Sequence, residues 1–552
     1  MLLLAACSNS DPIKRPTTPP PVNNTVINFS TYLGNDLADV VRDLVLDAAG
    51  NSYVVGGANS VNLLPGTPVR AHGGGEDAFV AKFDVNGQVV WWTFLGGPGP
   101  DRGYAIDLAA NDEVVIGGGA ANNFPVTAGA VLTQFQSGKD SASDPARDGF
   151  VARLDANGAL LWATYFGGGA EVGETSDKWD DPSSSVVRDV AVDPVSQNIY
   201  LVAPILSPAT PPIPSGQTTA PPLPDNLPTV ILTALQSGDF ATRPGYQNSL
   251  VFDGLLAKLT PDGASLPWAT YVGGSGNEAL AATVRVDSQG NPIVLWVTES
   301  TQRTLPVATP TFEPIAEGTV HDTTFNGATD FYIAKFALNG PLVWATFVGG
   351  GGFESADGSN LVLQQGDSIV LAASTTSPNF NPIGSDPFDP TYNGSGNSGY
   401  FSADCGIAKL APDATTLLAT TFYGGGTGDA CSGIALDAQD RIYVTGGTHS
   451  PDLPIASGPH QSERPGPRSA FLAVFTPDLT ALLNGGYFGG SGLGNSNALA
   501  VRSSTATSGR IVFAGESEAA YPLTPSPGTP ARGTVTAPPA HGVLSDVTLQ
   551  LP

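Results

Sequence analysis

The feature that most constrains this 552-residue chain is a short phrase that recurs seven times. Each copy is rich in aromatic and β-branched residues, and six of the seven end in a glycine pair. The copies are FSTYLG at 29–34, WTFLGG at 92–97, WATYFGG at 162–168, WATYVGG at 268–274, WATFVGG at 344–350, TTFYGG at 420–425 and GYFGG at 486–490. Such self-similarity is typical of repeat architectures, in which one supersecondary unit is copied along the chain.

A second phrase stands before most copies of the first. It reads DAFVAKFD at 77–84, DGFVARLD at 148–155, DGLLAKL at 253–259, DFYIAKF at 330–336, DCGIAKL at 404–410 and SAFLAVF at 469–475. Asn-Gly or Asp-Gly separates the two phrases at 86–87, 157–158, 262–263 and 339–340. These dipeptides are a strong hairpin signal, because both central residues of a two-residue turn take positive φ. The two phrases are therefore predicted to form paired antiparallel strands.

Two more apolar runs follow each glycine pair, as at 41–47 and 52–57, where AAGN at 48–51 joins them. Each unit then reads strand a, short turn, strand b, long loop, strand c, short turn and strand d. Seven such units predict an all-β fold, a seven-bladed β-propeller of four-stranded antiparallel blades. A β-sandwich or a β-helix is the alternative, but β-helix repeats are shorter and more regular. The 67 glycines and 48 prolines agree with a chain that turns often.

The two ends of the chain are predicted to share one blade. Residues 26–33 form a d strand with no a, b or c strand before them, and residues 543–551 stand where a c strand belongs. The N-terminal strand should therefore complete the seventh blade and close the ring. Closure would also remove an open sheet edge, which otherwise invites aggregation.

The STYLGG-like phrase, the phrase DAFVAKFDxNG and the tripeptide NFP at 123–125 resemble the SBBP β-propeller repeat of bacterial cell-surface proteins. The resemblance covers roughly residues 26–550. It implies the propeller fold and a place at the cell surface. It implies no reaction, because the family is defined by its repeat.

The N-terminal sequence LAAC at 4–7 resembles a bacterial lipobox, in which the cysteine is acylated. We expect residues 1–6 to be the remainder of a signal peptide, residues 7–25 to be the lipidated Cys7 with a proline-rich tether, and residues 26–552 to form the propeller. Only six residues precede Cys7 and none is basic, so the alternatives are a start codon farther upstream or an accidental match. The expected location is the bacterial cell envelope, at the outer membrane or cell surface, with the lipid as the only membrane contact.

Two further cysteines, Cys405 and Cys431, remain once Cys7 is assigned to lipid. Exported proteins readily form disulfides. Cys405 is expected near the start of strand c of the fifth blade and Cys431 near the start of strand a of the sixth. Both strand starts lie on the same face of the ring, so the pair is a candidate disulfide.

The d–a and b–c connections lie on one face of the predicted ring, here called the long-loop face. Function concentrates on loops held by a rigid scaffold, so this face is the candidate binding surface. The connection that enters the third blade is strongly acidic and carries one tryptophan. Its candidate ligand-facing residues are Glu171, Glu174, Asp177, Trp179, Asp180 and Asp181. The carboxylates of this loop could bind calcium, although the residue spacing of a known calcium-binding loop is absent. No other cofactor is predicted.

Two sets of repeated residues are interpreted as structural. Trp92, Trp162, Trp268 and Trp344 are read as equivalent d-strand positions that pack between blades, and Lys82, Arg153, Lys258, Lys335 and Lys409 as repeated cations of strand c. The five histidines, His72, His321, His449, His460 and His541, are spread over four blades and are not predicted to form a metal site.

The net charge of −27 argues against nucleic acid as a partner, because phosphate binding requires a cationic surface. None of the common catalytic motifs occurs. The leading hypothesis is a monomeric, non-catalytic surface scaffold that binds a protein or glycan through its long-loop face. The alternative is an exported propeller enzyme, carbohydrate-active or dependent on a quinone or metal, with its site at the central channel. Acidic or histidine side chains in the channel would favour the enzyme, and a small apolar lining would favour the scaffold.

Overall fold

The computed structural model describes residues 25–34, 37–135, 147–167, 186–207, 251–272, 278–300, 319–380, 387–394, 402–456, 458, 460–518 and 541–551, and the short strand pieces at 140–141, 144–145, 303–304 and 312–313. Within these ranges the chain is almost entirely β-structure. Seven antiparallel blades stand in a ring, which confirms the predicted β-propeller. The one described helix is a single 3-10 turn at Ala110–Asp112.

We number the blades 1 to 7 along the chain and letter the strands a to d from the central channel outward. Strands a to d are Asp39–Leu46, Ser52–Ala58, Asp77–Phe83 and Val89–Leu95 in blade 1, and Arg102–Leu108, Val114–Ala120, Asp148–Leu154 and Leu160–Phe166 in blade 2. They are Asp189–Val192, Ile199–Ser207, Val251–Leu259 and Trp268–Val272 in blade 3, and Glu278–Val286, Pro292–Thr298, Asp330–Phe336 and Leu342–Val348 in blade 4.

Blades 5 and 6 continue the pattern, with strand a of blade 5 broken into two short pieces. In blade 5, strand a consists of Glu354–Ser355 and Leu361–Leu363, and strands b to d are Ile369–Thr375, Asp404–Leu410 and Leu417–Tyr423. In blade 6, strands a to d are Asp429–Leu436, Ile442–Thr448, Ser469–Phe475 and Leu482–Phe488. Two isolated strand pairs lie outside the blades, Asp140–Ser141 with Asp144–Pro145 and Arg303–Thr304 with Phe312–Glu313.

Blade 7 joins the two ends of the chain as the sequence predicts. Its strands a, b and c are Gly494–Thr505, Ser508–Ser517 and His541–Gln550, and its strand d is Val26–Leu33. The N-terminal strand pairs antiparallel with strand c, with Thr31 opposite Leu544. Strand a of blade 7 packs against strand a of blade 1 and strand a of blade 6, so the ring is continuous.

The recurring tryptophan belongs to a packing motif between neighbouring blades. The prediction that Trp92 is the equivalent of Trp162 is wrong. The equivalent residue is Trp91, because Trp91 lies opposite Lys82 just as Trp162 lies opposite Arg153. Trp91 Nε1 donates a hydrogen bond to the Ala156 carbonyl in the c–d turn of blade 2 (2.8 Å). Trp162 and Trp268 reach blades 3 and 4 in the same way, at Pro261 O (3.0 Å) and Leu338 O (2.9 Å).

The c–d turns differ in detail from the two-residue hairpins that Asn-Gly predicts. Gly158 has φ of +81°, whereas Asn157 is absent from the described non-glycine residues with positive φ. The Gly158 N–H donates to Asp155 O, and Asp155 N–H donates to Ala159 O, so the loop is a tight turn followed by a left-handed glycine. A Cβ on Gly158 would lie 2.5 Å from the ring of Trp91, so this glycine also provides the surface on which the tryptophan of the previous blade packs.

Candidate functional site

The inner strands of all seven blades line one cavity of about 310 Å³ in the central channel. Most of its lining is aliphatic. Its charged side chains are Asp43 of blade 1, Asp107 of blade 2, Asp189 of blade 3 and Arg285 of blade 4. The channel is therefore neither purely apolar nor built around histidine, so the lining contains features of both predicted alternatives.

Each channel carboxylate accepts backbone hydrogen bonds from its own strand and from the next blade. Asp43 Oδ2 accepts from Ile106 N (3.1 Å), Asp107 Oδ2 from Val192 N (2.7 Å) and Asp189 Oδ2 from Val284 N (3.0 Å). The second oxygen of each accepts from the amide of the following residue. These carboxylates therefore join the inner strands of blades 1 to 4 to one another.

Arg285 of blade 4 joins the same network of channel contacts. Its Nη1 donates to Asp189 Oδ2 at 2.7 Å and to Val284 O at 2.6 Å. Its Nη2 contacts Ser359 Oγ of blade 5. One guanidinium thus connects blades 3, 4 and 5 across the channel.

The channel carboxyl groups are held away from their ordinary titration range. Burial, together with the negative charge of Asp189, raises the pKa of Asp43 to about 7. Burial likewise raises the pKa of Asp107 to about 6, opposed by the amide of Val192. Burial also raises the pKa of Asp189, while the adjacent Arg285 charge opposes this increase.

A second group of side chains lies closer to the end at which the d–a connections enter the inner strands. Strand a carries a β-bulge in blades 1 and 2, at Arg42 and Tyr104, and a bulge re-aims the side chain of the extra residue. The guanidinium of Arg42 lies 5.5 Å and that of Arg188 lies 4.7 Å from the centre of the Tyr104 ring. All three side chains are half-buried, so this cationic and aromatic group is partly open to solvent.

The site residues predicted from sequence have different outcomes. Cys7 and the acidic loop of Glu171, Glu174, Asp177, Trp179, Asp180 and Asp181 lie outside the described residues. Cys405 and Cys431 are joined in a disulfide with a Cα–Cα distance of 5.2 Å, which links strand c of blade 5 to strand a of blade 6. In the described part of the chain, no three His, Cys, Asp or Glu side chains are grouped as metal ligands, and no helix is long and apolar enough to cross a membrane.

Sequence reasoning did not find the channel residues. A signal was present, because Asp43, Asp107, Asp189 and Arg285 each place a charge within an apolar inner strand. The sequence could not show that these four charges meet, since they are separated by between 64 and 242 positions along the chain.

Comparisons with known proteins show no family for this chain. No family model matches the chain, and no curated protein matches it. A protein of unknown function from Dyadobacter fermentans aligns over 96% of this chain and 100% of its own, with 7% identity and a TM-score of 0.38. A quinohemoprotein alcohol dehydrogenase from Comamonas testosteroni aligns over 95% and 76%, with 11% identity and a TM-score of 0.39. The polysaccharide lyase Uly1 aligns over 94% and 92%, with 8% identity and a TM-score of 0.38. Likeness at this level carries no argument about ligand or reaction.

Proposed function

We propose that this chain is a non-catalytic binding propeller of the SBBP type, lipid-anchored in a bacterial cell envelope, which binds a protein or glycan through its long-loop face. The observation that carries the proposal is the use of the channel carboxylates. Asp43, Asp107 and Asp189 each accept backbone hydrogen bonds that join neighbouring blades. Carboxylates engaged in this way support the ring.

The group at the channel end of blades 1 to 3 supplies binding chemistry. Tyr104 offers an aromatic face and Arg188 a guanidinium, whose Nε and Nη2 are buried and have no hydrogen-bond partner among the described residues. A guanidinium binds carboxylate and sulfate oxygens in a planar, bidentate manner. The ligand class favoured is therefore a partner that presents an anionic group, such as an acidic sugar or an acidic side chain.

Binding of the purified chain to an array of glycans and surface proteins tests this proposal. We expect retention on ligands that carry carboxylate or sulfate groups, and a loss of at least tenfold in affinity in Arg188→Ala. Lys258→Ala is the matched control, because it removes a positive charge from strand c of blade 3, where Lys258 Nζ donates to Leu338 O in a c–d turn on the opposite face of the ring. Equal affinities of wild type and Arg188→Ala would show that Arg188 does not bind the ligand.

The enzyme alternative rests on one specific observation. Asp43 and Asp107 have pKa values near those of a general acid working at neutral pH, and they line the same cavity. Turnover of a polysaccharide that Asp43→Asn abolishes, while the variant keeps the melting temperature of the wild type, would favour a hydrolase or lyase over the scaffold.

A further inference from the structure

The blade junctions contain a repeated arrangement of buried acids that the channel does not include. In several junctions the first residue of strand c meets an acid that begins, or directly precedes, strand a of the next blade. We call these sets the junction pairs. They are Asp77 with Asp101, Asp330 with Glu354, and Asp404 with Asp429. All six residues are buried: the five aspartates are 0% exposed and Glu354 is 1% exposed.

The first glycine of the recurring phrase shows how close the members of a pair are. A Cβ on Gly424 would lie 2.5 Å from Asp404 Oδ1 and 3.0 Å from Asp429 Oδ2. A Cβ on Gly96 would lie 2.5 Å from Asp77 Oδ1 and 2.8 Å from Asp101 Oδ2. In these two pairs both carboxyl groups therefore converge on one glycine.

Each carboxyl of the Asp404–Asp429 pair has one oxygen with donors and one without. Asp404 Oδ2 accepts from Asn393 N at 2.6 Å, and Asp429 Oδ2 accepts from Gly425 N and Ser450 Oγ, both at 2.7 Å. Oδ1 of Asp404 and Oδ1 of Asp429 are buried and have no hydrogen-bond partner among the described residues. A buried polar atom without a partner destabilises the folded state and requires an explanation.

The Asp330–Glu354 pair follows the same plan, and the Asp77–Asp101 pair follows it at Asp77 alone. Asp330 Oδ2 accepts from Asn326 N (2.7 Å), whereas Asp330 Oδ1 and Glu354 Oε2 lack partners in the described part of the chain. Asp77 Oδ2 accepts from Gly73 N (2.5 Å), and Asp77 Oδ1 lacks a partner there. In this last pair both oxygens of Asp101 accept amide hydrogen bonds.

The surrounding charges do not neutralise two carboxylates at blades 4 to 6. Asp389 and Asp452 add negative charge around Asp404 and Asp429, and the other titratable neighbours are Tyr392, Tyr423 and Tyr487. Asp322 does the same beside Asp330. At blades 1 and 2 the neighbours include the cations Arg70 and Arg147, the phenol of Tyr165 and the imidazole of His72, whose Nδ1 lies 3.9 Å from Asp77 Oδ2.

Two adjacent carboxylates in a low-dielectric site cannot both ionise readily, and one proton between them removes the repulsion while giving a donor to an otherwise unpaired oxygen. We propose that each junction pair shares one proton taken up from solvent, so that the propeller binds protons as it folds and holds its long loops more tightly in acid than in alkali.

The titration of these groups agrees with the geometry. Burial, followed by the neighbouring negative charge, raises the pKa of Asp404 to about 8 and the pKa of Glu354 to about 7. Burial raises the pKa of Asp101 to about 8. A carboxyl whose pKa is higher folded than unfolded contributes stability that is complete below the unfolded value, near 4, and is lost as pH rises through the folded value. For these groups, stability must therefore fall between about pH 4 and pH 8.

The pairs also connect pH to the proposed binding face. The amides that they bind belong to connections on that face, at Gly73, Asn326 and Asn393 in b–c loops and at Gly425 in a d–a loop. Blade 7 supplies an internal contrast, because Ser469 and Gly494 occupy the pair positions at the junction of blades 6 and 7. That junction forms without an acid pair.

Thermal unfolding of the full chain between pH 4.5 and pH 9 tests the proposal. We expect the melting temperature to fall as pH rises, with each pair changing the folding equilibrium constant by up to about tenfold per pH unit. Asp404→Asn carries a neutral hydrogen-bond donor at every pH. Its melting temperature should therefore equal that of wild type near pH 5 and exceed it at pH 8.5, so that the melting temperature depends less steeply on pH. Asp413→Asn, in an exposed turn, is the matched control and should not reduce this dependence on pH.

Infrared spectroscopy of the folded wild-type chain at pH 6.5 gives an independent readout, which stands even where a variant fails to fold. A protonated-carboxyl band that is lost on unfolding at the same pH supports the proposal. Absence of that band, or an Asp404→Asn slope equal to that of wild type, overturns it. A rise in wild-type melting temperature at pH 8.5 on addition of Ca²⁺, absent in Asp404→Asn, would also overturn it by placing a metal ion where we place the proton.

Discussion

The glycine pair of the recurring phrase is required by what lies over it, as the position of Gly424 shows. The carboxyl groups of Asp404 and Asp429 occupy the space that a side chain at this position would need. Gly489 stands at the same place in blade 6, where Ser469 replaces the aspartate, and the nearest atom to its Cβ position is 3.5 Å away. The same repeated residue therefore has different steric importance in the two blades.

This difference predicts opposite outcomes for one substitution. Gly424→Ala should destabilise the chain by about 1–3 kcal/mol, because the new methyl group displaces buried carboxyl groups. Gly489→Ala should change stability by less than about 0.5 kcal/mol, because it meets only ordinary van der Waals contacts. Denaturant unfolding at pH 6 measures both. Equal losses of stability in the two variants would show that the acid pair is not the reason for a glycine at position 424.

At the scale of the element, the strand Val26–Leu33 closes the ring. It is the outer strand of blade 7, and most of its residues pair with strand c of that blade. Side-chain contacts add to the ladder, including Asn28 Nδ2 to Asp546 Oδ1 at 2.6 Å and the Ser30–Ser545 hydroxyl pair at 2.8 Å. Without this strand, the edge of His541–Gln550 would be open.

Deletion of residues 26–34 should therefore expose an unpaired strand edge and bury less apolar surface in blade 7. We expect the variant to unfold or to associate into oligomers, as measured by light scattering and by circular dichroism during heating. Deletion of residues 8–20 is the control for loss of the N-terminal segment. A monomeric 26–34 deletion with an unchanged melting temperature would contradict ring closure through this strand.

At the scale of the whole molecule, a propeller is a ring whose blades are held to one another by packing and a few polar contacts. The disulfide between Cys405 and Cys431 links blades 5 and 6 covalently. It lies beside the Asp404–Asp429 pair, so the junction of blades 5 and 6 combines a cross-link with a buried polar contact.

Removal of the cross-link should weaken the ring as a whole. The two cysteines are 26 positions apart, so a Cys405→Ala/Cys431→Ala variant should lose about 3 kcal/mol of stability by the loop-entropy estimate. Calorimetry of the variant and the wild type measures the loss. Mass spectrometry of the unreduced wild type must find no free thiol at either position, and two free thiols would refute the assignment.

Much of the fold follows from local pattern. The recurring phrases, the Asn-Gly turns and the unmatched strands at the two ends predict seven four-stranded blades and their closure, because strand period and turn chemistry are local properties. The same local reading placed the repeated tryptophan at Trp92 and not Trp91, since adjacent tryptophans can be distinguished only by which one lies opposite Lys82.

The sequence by itself determined the architecture of this protein, the position of its turns and the blade to which each strand belongs. The tertiary structure alone decided which charges meet: Asp43, Asp107, Asp189 and Arg285 in the channel, Arg188 over Tyr104, and the junction pairs at the glycines. The reason is physical. Backbone hydrogen bonds and side-chain alternation depend on neighbours along a strand, whereas the ionisation of a carboxyl group depends on burial and on charges that the ring brings together from different blades.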